Sequence, residues 1–499
     1  MPNPEPFLPG FHPDPSICRV GDTFYVVTST FAYHPGLPIH RSRDLREWEL
    51  IGHVLEGDAW PDMSDLDLSD GAWAPTIREH DGVFYVVFAL ARGRRGSVTY
   101  VCTTTDPGGS WSIAPIPDAD GIDPSLFFDE DGRAWFTAAR DATAPGATGP
   151  AEIWMREFDI DGLRLAGPTH ILWHGALTGQ WLEAPHIYRR ATGYYLIGAE
   201  GGTERNHAVT GARASSITGP YRTDPRSPLL THRHLRPDAP LQNVGHADLV
   251  TDADGAAWAV VLGVRPTDGH HTLGRESFLV PVEWTTDGPV FAHGSGVLTA
   301  SHPAVVGPHA DDWLSIRGPV DAVVDGAHVE IAPDPRGFAD AGTPAFLGRR
   351  QDGHVFAFGV TVDPTAAPDV DTGIVAFQNP EHHVAVRLTG SASARMLEIA
   401  QRSAGVERVL AAEPVGGDGR EPLRLVIEGD EAGYRFGRMR EGRFIELAQV
   451  PASALSTETA GGFVGVVLGL FARGAEGRAP VHFDDVEYRR TAARVAPVI

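Results

Sequence analysis

One short pattern recurs along the first 260 residues and limits the possible folds more than any other feature. Each copy has a small or acidic residue with Pro, a short apolar strand, a polar turn with Gly or Asp, and then an aromatic strand. Four copies begin at Pro15, Pro75, Pro124 and Pro185; the fifth lacks the Pro and has Asp248 at the corresponding place. The spacings are 60, 49, 61 and 63 residues. A regular repeat of this length indicates one structural unit used five times.

Each unit reads as a small antiparallel sheet. Asp-Gly turns between aromatic and β-branched runs signal hairpins, and further strand-like runs follow each hairpin. About four strands per unit is typical of a β-propeller blade, so the repeat predicts an all-β fold with a five-bladed β-propeller. Pro is tolerated at the start of a strand, and the first residues of the innermost strands are expected to face the central channel. A β-sandwich with similar hairpins is the alternative, which five aligned copies disfavour.

The pattern changes around residues 301–312. All eleven tryptophans lie at or before Trp313, yet strand-like alternation continues beyond it. The runs are 327–332, 355–362, 372–378, 383–388, 423–427, 444–449 and 463–470. They predict a second, concanavalin-like β-sandwich. The expected organisation is a propeller over 1–305, a linker over 306–312, a C-terminal β-sandwich over 313–490 and a tail over 491–499.

Composition excludes several partners. The formal charge of −24 argues against nucleic acid or an anionic membrane, since phosphate binding needs clustered Lys and Arg, whereas a neutral sugar is compatible with it. No apolar run approaches the roughly 18 residues that span a bilayer, and the N-terminus has no signal-like region, so a cytoplasmic location is expected. Cys18 and Cys102 lie in strand-like segments and are expected to be buried free thiols. The sequence is compatible with a homo-oligomer.

Three carboxylates stand at or just before a Pro step in different units: Asp14, Asp123 and Glu183. Asp before Pro usually forms a turn, so one such residue says little, but three in register indicate a site. Hydrolysis of a glycosidic bond needs one ionised and one protonated carboxylate, and a third nearby raises the pKa of the acid by like-charge repulsion. Asp14 and Glu183 come from the first and fourth units. The gap between them suits an inverting mechanism, in which about 6.5–9.5 Å leaves room for water.

Three aromatic residues at or near the inner strands are candidates for stacking on a sugar ring: Phe31, Trp73 and Phe127. The alternative is that they belong to the hydrophobic core, because blades also pack through aromatic side chains.

Eight motifs together give a specific resemblance. They span residues 10–17, 29–31, 73–75, 123–127, 183–186, 199–203, 245–247 and 273–276. Over its whole length the chain resembles the β-xylosidases and α-L-arabinofuranosidases of glycoside hydrolase family 43. Those enzymes are five-bladed propellers with an appended C-terminal β-sandwich.

The resemblance implies roles for matching residues. Asp14 is expected to be the general base that activates water, and Glu183 the general acid. Asp123 is expected to tune the pKa of the acid and to orient the substrate. Arg275 would bind sugar hydroxyls through its planar fork of donors. His246 would lie beneath the site on the axis, where some family members hold a calcium ion; a hydrogen-bonded core histidine is the alternative.

The chain also departs from the family pattern. Ala184 stands where many members have Gly. Related xylosidases close the pocket with an aromatic residue of the C-terminal domain, but the corresponding loop, 457–462, contains none. The residues after Ala139 lack the tryptophan that related enzymes place there. The outer wall of the pocket is therefore expected to differ.

The predicted function is an exo-acting, inverting glycoside hydrolase that needs no cofactor. It would release terminal β-D-xylose from short xylo-oligosaccharides, with α-L-arabinofuranose, or both sugars, as the alternative. A retaining enzyme of the invertase type, with Asp14 as nucleophile, is a rival within enzymes. A carbohydrate-binding propeller without catalysis is the rival from another class.

Overall fold

The computed structural model describes residues 4–143, 149–177, 181–299, 305–306, 312–365, 367–391, 394–415 and 421–490. Most of the predicted linker and the whole predicted tail lie outside the described residues. The fold is all-β. Within the described part of the chain, helical structure is limited to one α-helical turn at Thr457–Ala460 and four 3-10 turns at Gly57–Ala59, Gly93–Arg95, Ala292–Gly294 and Ala452–Leu455.

The described residues up to Phe291 form five antiparallel sheets of four main strands each, and the strand order in every sheet follows the sequence. Sheet 1 contains Ser16–Val20, Thr23–Val27, Gly36–Ser42 and Glu47–Leu55, with Val305–Val306 added in parallel to the last. Sheet 2 contains Gly71–His80, Val83–Ala91, Ser97–Thr104 and Ser112–Pro115. Sheet 3 contains Ile122–Phe128, Ala134–Asp141, Ala151–Asp159 and Arg164–Trp173. Sheet 4 contains Glu183–Arg190, Gly193–Glu200, Ala208–Ala214 and Arg222–Thr223, with Leu230–Thr231 beside the third. Sheet 5 contains Gln242–Thr251, Ala257–Val264, Glu276–Thr285 and Gly288–Phe291.

The inner strands share an unusual backbone conformation at one position. The residue is non-glycine yet left-handed in every sheet: φ is 55° at Asp14, 42° at Ala74, 52° at Asp123, 53° at Ala184 and 50° at His246. In sheets 2, 3 and 4 this residue and the following Pro form a β-bulge, where the pairing register shifts. Pro therefore sits at a bulge rather than at the first residue of the strand. Bulges re-aim side chains and often lie beside functional sites.

The inner strands also link neighbouring sheets. Each contacts the inner strand of the next sheet, and sheet 5 contacts sheet 1. Asp248 joins several of them: its Oδ2 accepts hydrogen bonds from Ser16 Oγ at 2.7 Å and from Arg78 Nη1 at 2.8 Å, and its Oδ1 accepts one from Tyr188 at 2.8 Å. Asp248 is fully buried, so this polar network ties together inner strands of sheets 1, 2, 4 and 5.

The C-terminal region consists of two larger sheets. The seven-stranded sheet has the spatial order Ala322–Asp325, His328–Ile331, Val481–Arg490, Phe356–Val362, Leu423–Asp430, Gly433–Arg440 and Arg443–Pro451. The six-stranded sheet has the order Phe346–Arg350, Val467–Arg473, Asp371–Asn379, His382–Thr389, Met396–Ser403 and Val406–Pro414. Apolar side chains from both sheets form one core. A strand matches each of the seven predicted runs, but the last begins at Val467 rather than at residue 463.

The other face of the six-stranded sheet packs against segments that precede and connect the strands of sheets 1 and 2, around residues 11, 31–33 and 68. Tyr33–His34 pairs with Ser315–Ile316, and rings from both regions, including Phe31 and Phe346, share one hydrophobic cluster. Arg350 donates to the carbonyl of Phe11 at 2.7 Å and pairs with buried Asp312. The contact surface is therefore both apolar and specifically hydrogen-bonded.

Two further expectations can be compared with the described residues. Cys18 and Cys102 are buried and unpaired, as predicted. None of the described helices is long and apolar enough to cross a membrane.

Candidate active site

A cavity of about 350 Å³ opens at the bulge end of the inner strands. Residues from all five sheets and from the C-terminal region line it: Asp14, Phe31, Trp73, Ala74, Ile122, Asp123, Trp181, Glu183, Gly201, Gly202, Thr203, Glu204, His246, Arg275 and Phe463. The predicted residues Asp14, Asp123, Glu183, Phe31, Trp73, Arg275 and His246 are all among them. The repeat brings together residues that lie up to 261 positions apart in sequence, such as Asp14 and Arg275.

Asp14 is buried but held in its ionised form. Its Oδ1 accepts a hydrogen bond from Arg275 Nη1 at 2.7 Å, and its Oδ2 accepts one from Ser29 Oγ at 2.7 Å. Ser29 Oγ in turn accepts from the amide of Ala74 at 2.7 Å, which fixes the hydroxyl between two sheets. Burial alone would raise the pKa of Asp14, but the charges of Arg275 and His246 and the Ser29 hydrogen bond outweigh it and lower the pKa.

Glu183 has the opposite electrostatics. Burial, together with the negative charges of Asp123 and Asp14, raises its pKa well above the usual value. Asp123 lies between the two extremes: burial raises its pKa to about 6, even though His246 and a hydrogen bond from the amide of Ala184 at 3.0 Å lower it. Carboxylates with pKa values pushed apart in one pocket can serve as base and acid at the same pH.

The three carboxylates are not strictly in register. Asp14 and Asp123 occupy the left-handed position directly before Pro, whereas in sheet 4 that position belongs to Ala184. Glu183 is one residue earlier, at the place that Trp73 and Ile122 take in sheets 2 and 3. Its longer side chain thus starts from a different point on the wall of the cavity.

The expectation that the C-terminal domain lacks an aromatic wall residue is wrong, because Phe463 lies just beyond the stretch 457–462. Its ring stacks on Phe31 with the centroids 6.0 Å apart and meets Trp73 edge-on at 5.6 Å. The guanidinium carbon of Arg275 lies 5.6 Å from the ring centroids of both phenylalanines. Phe463, Phe31 and Trp73 therefore form a continuous apolar wall.

Contacts between the two regions hold Phe463 in place. The amide of Phe463 donates to Ser69 Oγ at 2.9 Å. Glu458 accepts from the amide of His271 at 3.0 Å and contacts its Nδ1 at 2.6 Å. Val466 donates to the carbonyl of Thr272 at 2.8 Å. The segment that bears Phe463 is thereby fixed to the segment that leads into Arg275.

Sequence reasoning missed other lining residues. Trp181 lies two positions before Glu183 at the mouth of the cavity and is 62% exposed, more than any other large hydrophobic side chain described. Trp181 stands two residues before Glu183 in the same motif, and this proximity could have marked it as a pocket residue. Thr203 accepts a hydrogen bond from Arg275 Nη1 at 3.1 Å. That contact joins residues far apart in sequence, and no local pattern reveals it.

Two predicted placements are wrong. Phe127 does not line this cavity; it packs edge-on against Tyr194 with centroids 6.1 Å apart and borders a different depression. Four residues beyond Asp123, it lies about 13 Å further along the strand. Asp248 does not occupy the position equivalent to the repeated Pro: His246 has the shared left-handed φ, so Ala247 takes that position and Asp248 lies one residue further along, in the buried polar network.

The surroundings of His246 provide few ligands for a calcium ion. Ligand atoms of His246, Asp123 and Glu183 lie within 4.8 Å of one another, and His246 Nδ1 is 3.7 Å from Asp14 Oδ1. Calcium prefers six to eight oxygen ligands, so one imidazole and two carboxylates do not match it. A cation held there would also favour the ionised form of Glu183, against the effect of its surroundings. The donor set does not fit a directly bound calcium ion.

The arrangement defines a class of protein. A pocket with an ionised carboxylate, a carboxylic acid kept protonated and a bound guanidinium against an apolar wall has the groups that hydrolysis of a glycosidic bond requires.

Comparison with known proteins agrees with this chemistry. Residues 3–290 match the family model described as "Glycosyl hydrolases family 43", and residues 310–489 match the "Beta xylosidase C-terminal Concanavalin A-like domain". The chain belongs to glycoside hydrolase family 43, and it is a glycoside hydrolase. A "Xylosidase/arabinosidase" of Butyrivibrio fibrisolvens is 34% identical over 97% of this chain and 98% of its own length.

Two other proteins resemble the chain over nearly its full length. A "Non-reducing end alpha-L-arabinofuranosidase" of Bacteroides ovatus is 33% identical over 97% of this chain and 94% of its own length. The crystal structure of a xylan β-1,4-xylosidase from Bacillus halodurans has a TM-score of 0.89 at 30% identity, covering 98% of this chain and all of that one.

Proposed function

We propose that the protein is an exo-acting, inverting β-D-xylosidase that removes terminal xylose from xylo-oligosaccharides. The observation that carries the proposal is the pair of buried carboxylates with opposite pKa shifts in one cavity, Asp14 lowered and Glu183 raised. Phe463 of the C-terminal region closes one side of the cavity, which suits a chain end better than the middle of a polymer. The xylosidase names of full-length relatives support the choice of sugar.

The proposed mechanism is one displacement by water. Asp14, ionised because Arg275 and Ser29 stabilise its charge, takes a proton from the water that attacks the anomeric carbon. Glu183 gives its proton to the leaving oxygen. Asp123 contributes to the raised pKa of Glu183 and presents a carboxylate to the sugar hydroxyls. Arg275 has donors left for hydroxyls of the terminal sugar. The apolar face of that sugar packs against the apolar wall of aromatic rings.

We also propose that the five sheets are the blades of a five-bladed propeller. The circular sequence of inner-strand contacts, including the hydrogen bond from Ser16 to Asp248 that links sheets 1 and 5, supports it. The propeller would extend over 1–305 and the sandwich over 313–490. Limited proteolysis checks these bounds: cleavage first within 306–312 is expected, and early cleavage inside a sheet would contradict them. The cytoplasmic location and the oligomeric state stay predictions.

An α-L-arabinofuranosidase is the second candidate. It is favoured by the 33% identity, over nearly the whole chain, to a relative named for that activity. The same carboxylates would serve both sugars, so the choice rests on the outer part of the cavity, where Phe463 and Trp181 lie.

Parallel assays test the proposal. Hydrolysis of 4-nitrophenyl β-D-xylopyranoside and 4-nitrophenyl α-L-arabinofuranoside should favour the xyloside. Proton NMR of the first product from xylobiose should show α-D-xylose, because inversion follows from attack by water opposite the leaving group. First-formed β-D-xylose would establish the retaining rival instead. A folded protein that hydrolyses neither glycoside would overturn the proposal.

Replacing Arg275 by Gln is expected to shift the pH profile. Without the guanidinium, burial of Asp14 is less well compensated and the pKa of Asp14 rises. The base must be ionised, so the acidic limb of kcat/KM moves to higher pH. The loss of charged hydrogen bonds should also lower the maximum kcat/KM by about 10–100-fold. The Arg236→Gln variant, which changes an exposed arginine, is the matched control; an unmoved acidic limb in Arg275→Gln would contradict the role.

We further propose that hydrolysis needs no metal ion, since the donor set around His246 does not suit calcium and the chain's own carboxylates supply acid and base. Enzyme dialysed against EDTA should keep its kcat/KM for 4-nitrophenyl β-D-xylopyranoside, and added calcium chloride should not increase it. A loss of activity that calcium restores would show the opposite.

A further inference from the structure

Far from the carboxylate pocket in sequence, two neighbouring strands of the seven-stranded sheet carry a cluster of metal-binding side chains. His328 and Glu330 lie on His328–Ile331, and His482 lies on Val481–Arg490. The strands pair antiparallel with Glu330 opposite His482. Val329, Ile331, Val481 and Phe483 point into the core, so the alternating residues point outward on the other face.

The outward side chains converge on one carboxylate oxygen. Glu330 Oε1 lies 3.1 Å from His328 Nε2 and 3.3 Å from His482 Nδ1. The ligand atoms of the three residues all lie within 4.8 Å of one another. In tetrahedral zinc sites, metal–ligand bonds of about 2.0–2.2 Å place neighbouring ligand atoms about 3.4 Å apart. The distances from Glu330 to the two histidines thus nearly match those between zinc ligands before any ion is bound.

A fourth residue provides what a zinc-bound histidine normally needs. Asp484 Oδ1 lies 2.7 Å from His328 Nδ1, on the side of the ring away from Glu330. Histidines that bind metal commonly donate their second ring N–H to a carboxylate, which fixes the tautomer and orients the other nitrogen. Asp484 therefore leaves His328 Nε2 as the nitrogen that faces the cluster.

We propose that His328, Glu330 and His482 form a zinc site in the C-terminal sandwich, separate from the carboxylate pocket. Asp484 orients His328, and water completes the coordination. Two imidazoles and one carboxylate are a donor set that zinc accepts, whereas calcium prefers oxygen alone. The residues are about one-third to one-half exposed, so an ion can enter without a change in fold.

The position of the cluster indicates a stabilising role. The hairpin formed by Ala322–Asp325 and His328–Ile331 is the edge of its sheet, and Val323 and Val324 are exposed there. Zinc would join this edge hairpin to the strand at the far end of the domain sequence. A ligand that binds only the folded state stabilises it, so zinc should raise the melting temperature.

Titration of the full-length, EDTA-treated protein with zinc chloride tests the site, with calorimetry for stoichiometry and thermal unfolding for stability. The wild type should bind one equivalent more than the His482→Gln variant, and zinc should raise the Tm of the wild type but not that of His482→Gln. Asp484→Asn should weaken this binding by about 10–100-fold, since it removes only the orienting carboxylate. The His234→Gln variant, altered at an exposed histidine elsewhere, is the control and should titrate like the wild type.

Two results would overturn the proposal. One is identical zinc titrations for the wild type and His482→Gln, which would place any bound zinc elsewhere. The other is a calcium chloride titration that shows the same difference between the two proteins, because the donor set would then not select zinc. Unfolding without metal, measured for both proteins, separates loss of the site from loss of the fold.

Discussion

Glu183→Gln is expected to lower kcat for xylobiose by about 10²–10⁴-fold, the usual contribution of a positioned proton donor. Burial and the charges of Asp123 and Asp14 keep Glu183 protonated in the wild type, and an amide of the same size has no proton of comparable acidity to give. The loss should be much smaller for 4-nitrophenyl β-D-xylopyranoside, because nitrophenolate leaves with little need for protonation. Steady-state kinetics on both substrates measures the difference.

The comparison between the two leaving groups isolates the acid. Glu130→Gln, which changes an exposed glutamate in the hairpin turn of sheet 3, is the matched control and should leave both rates unchanged. Equal losses on xylobiose and on the nitrophenyl glycoside would contradict the assignment, since a damaged pocket rather than a missing proton would explain them.

Asp14→Asn is expected to lower kcat/KM for both substrates by a similar factor, at the upper end of about 10²–10⁴-fold. Activation of water is needed whatever group leaves, so the loss should not depend on the leaving group. The substitution keeps the shape of the side chain but also leaves Arg275 without its carboxylate partner in a buried site. Initial rates at saturating and limiting substrate give the two parameters.

Asp254→Asn is the control for the base, because Asp254 lies in an exposed hairpin turn of sheet 5. A variant at Asp14 that kept more than about one-tenth of the activity would rule out its role as base. A loss confined to xylobiose would instead indicate that Asp14 acts on the leaving group. The patterns for Asp14 and Glu183 are thus expected to differ in kind, not only in size.

The sequence allowed the main chemical groups to be predicted because they belong to local, repeated motifs. Asp14, Asp123 and Glu183 each stand beside a Pro step, and the repetition implied that they meet at one axis. What the motif could not give is the backbone conformation. In the fifth unit, which lacks the Pro, the left-handed φ shows that His246 is the counterpart of Asp14 and Asp123, so Asp248 lies further along the strand.

Residues brought in by tertiary packing escaped prediction for a different reason. Phe463 lies in an apolar run that resembles a strand, and only docking of the two regions shows that it borders the pocket. Phe127 has the composition of a sugar platform, yet its distance along the strand removes it from the site. His328 and His482 are separated by most of the C-terminal domain, so only strand pairing reveals their proximity.

The contact between Ser69 and Phe463 joins parts of the pocket that are synthesised at different times. The two residues are 394 positions apart, and a ribosome adding about 5–20 residues per second needs roughly 20–80 s to cover that distance. A growing chain thus contains its carboxylates long before the ring that completes their pocket. The pocket is completed only after residue 463 has been added, so a polypeptide terminated before it would have the acids without their enclosure.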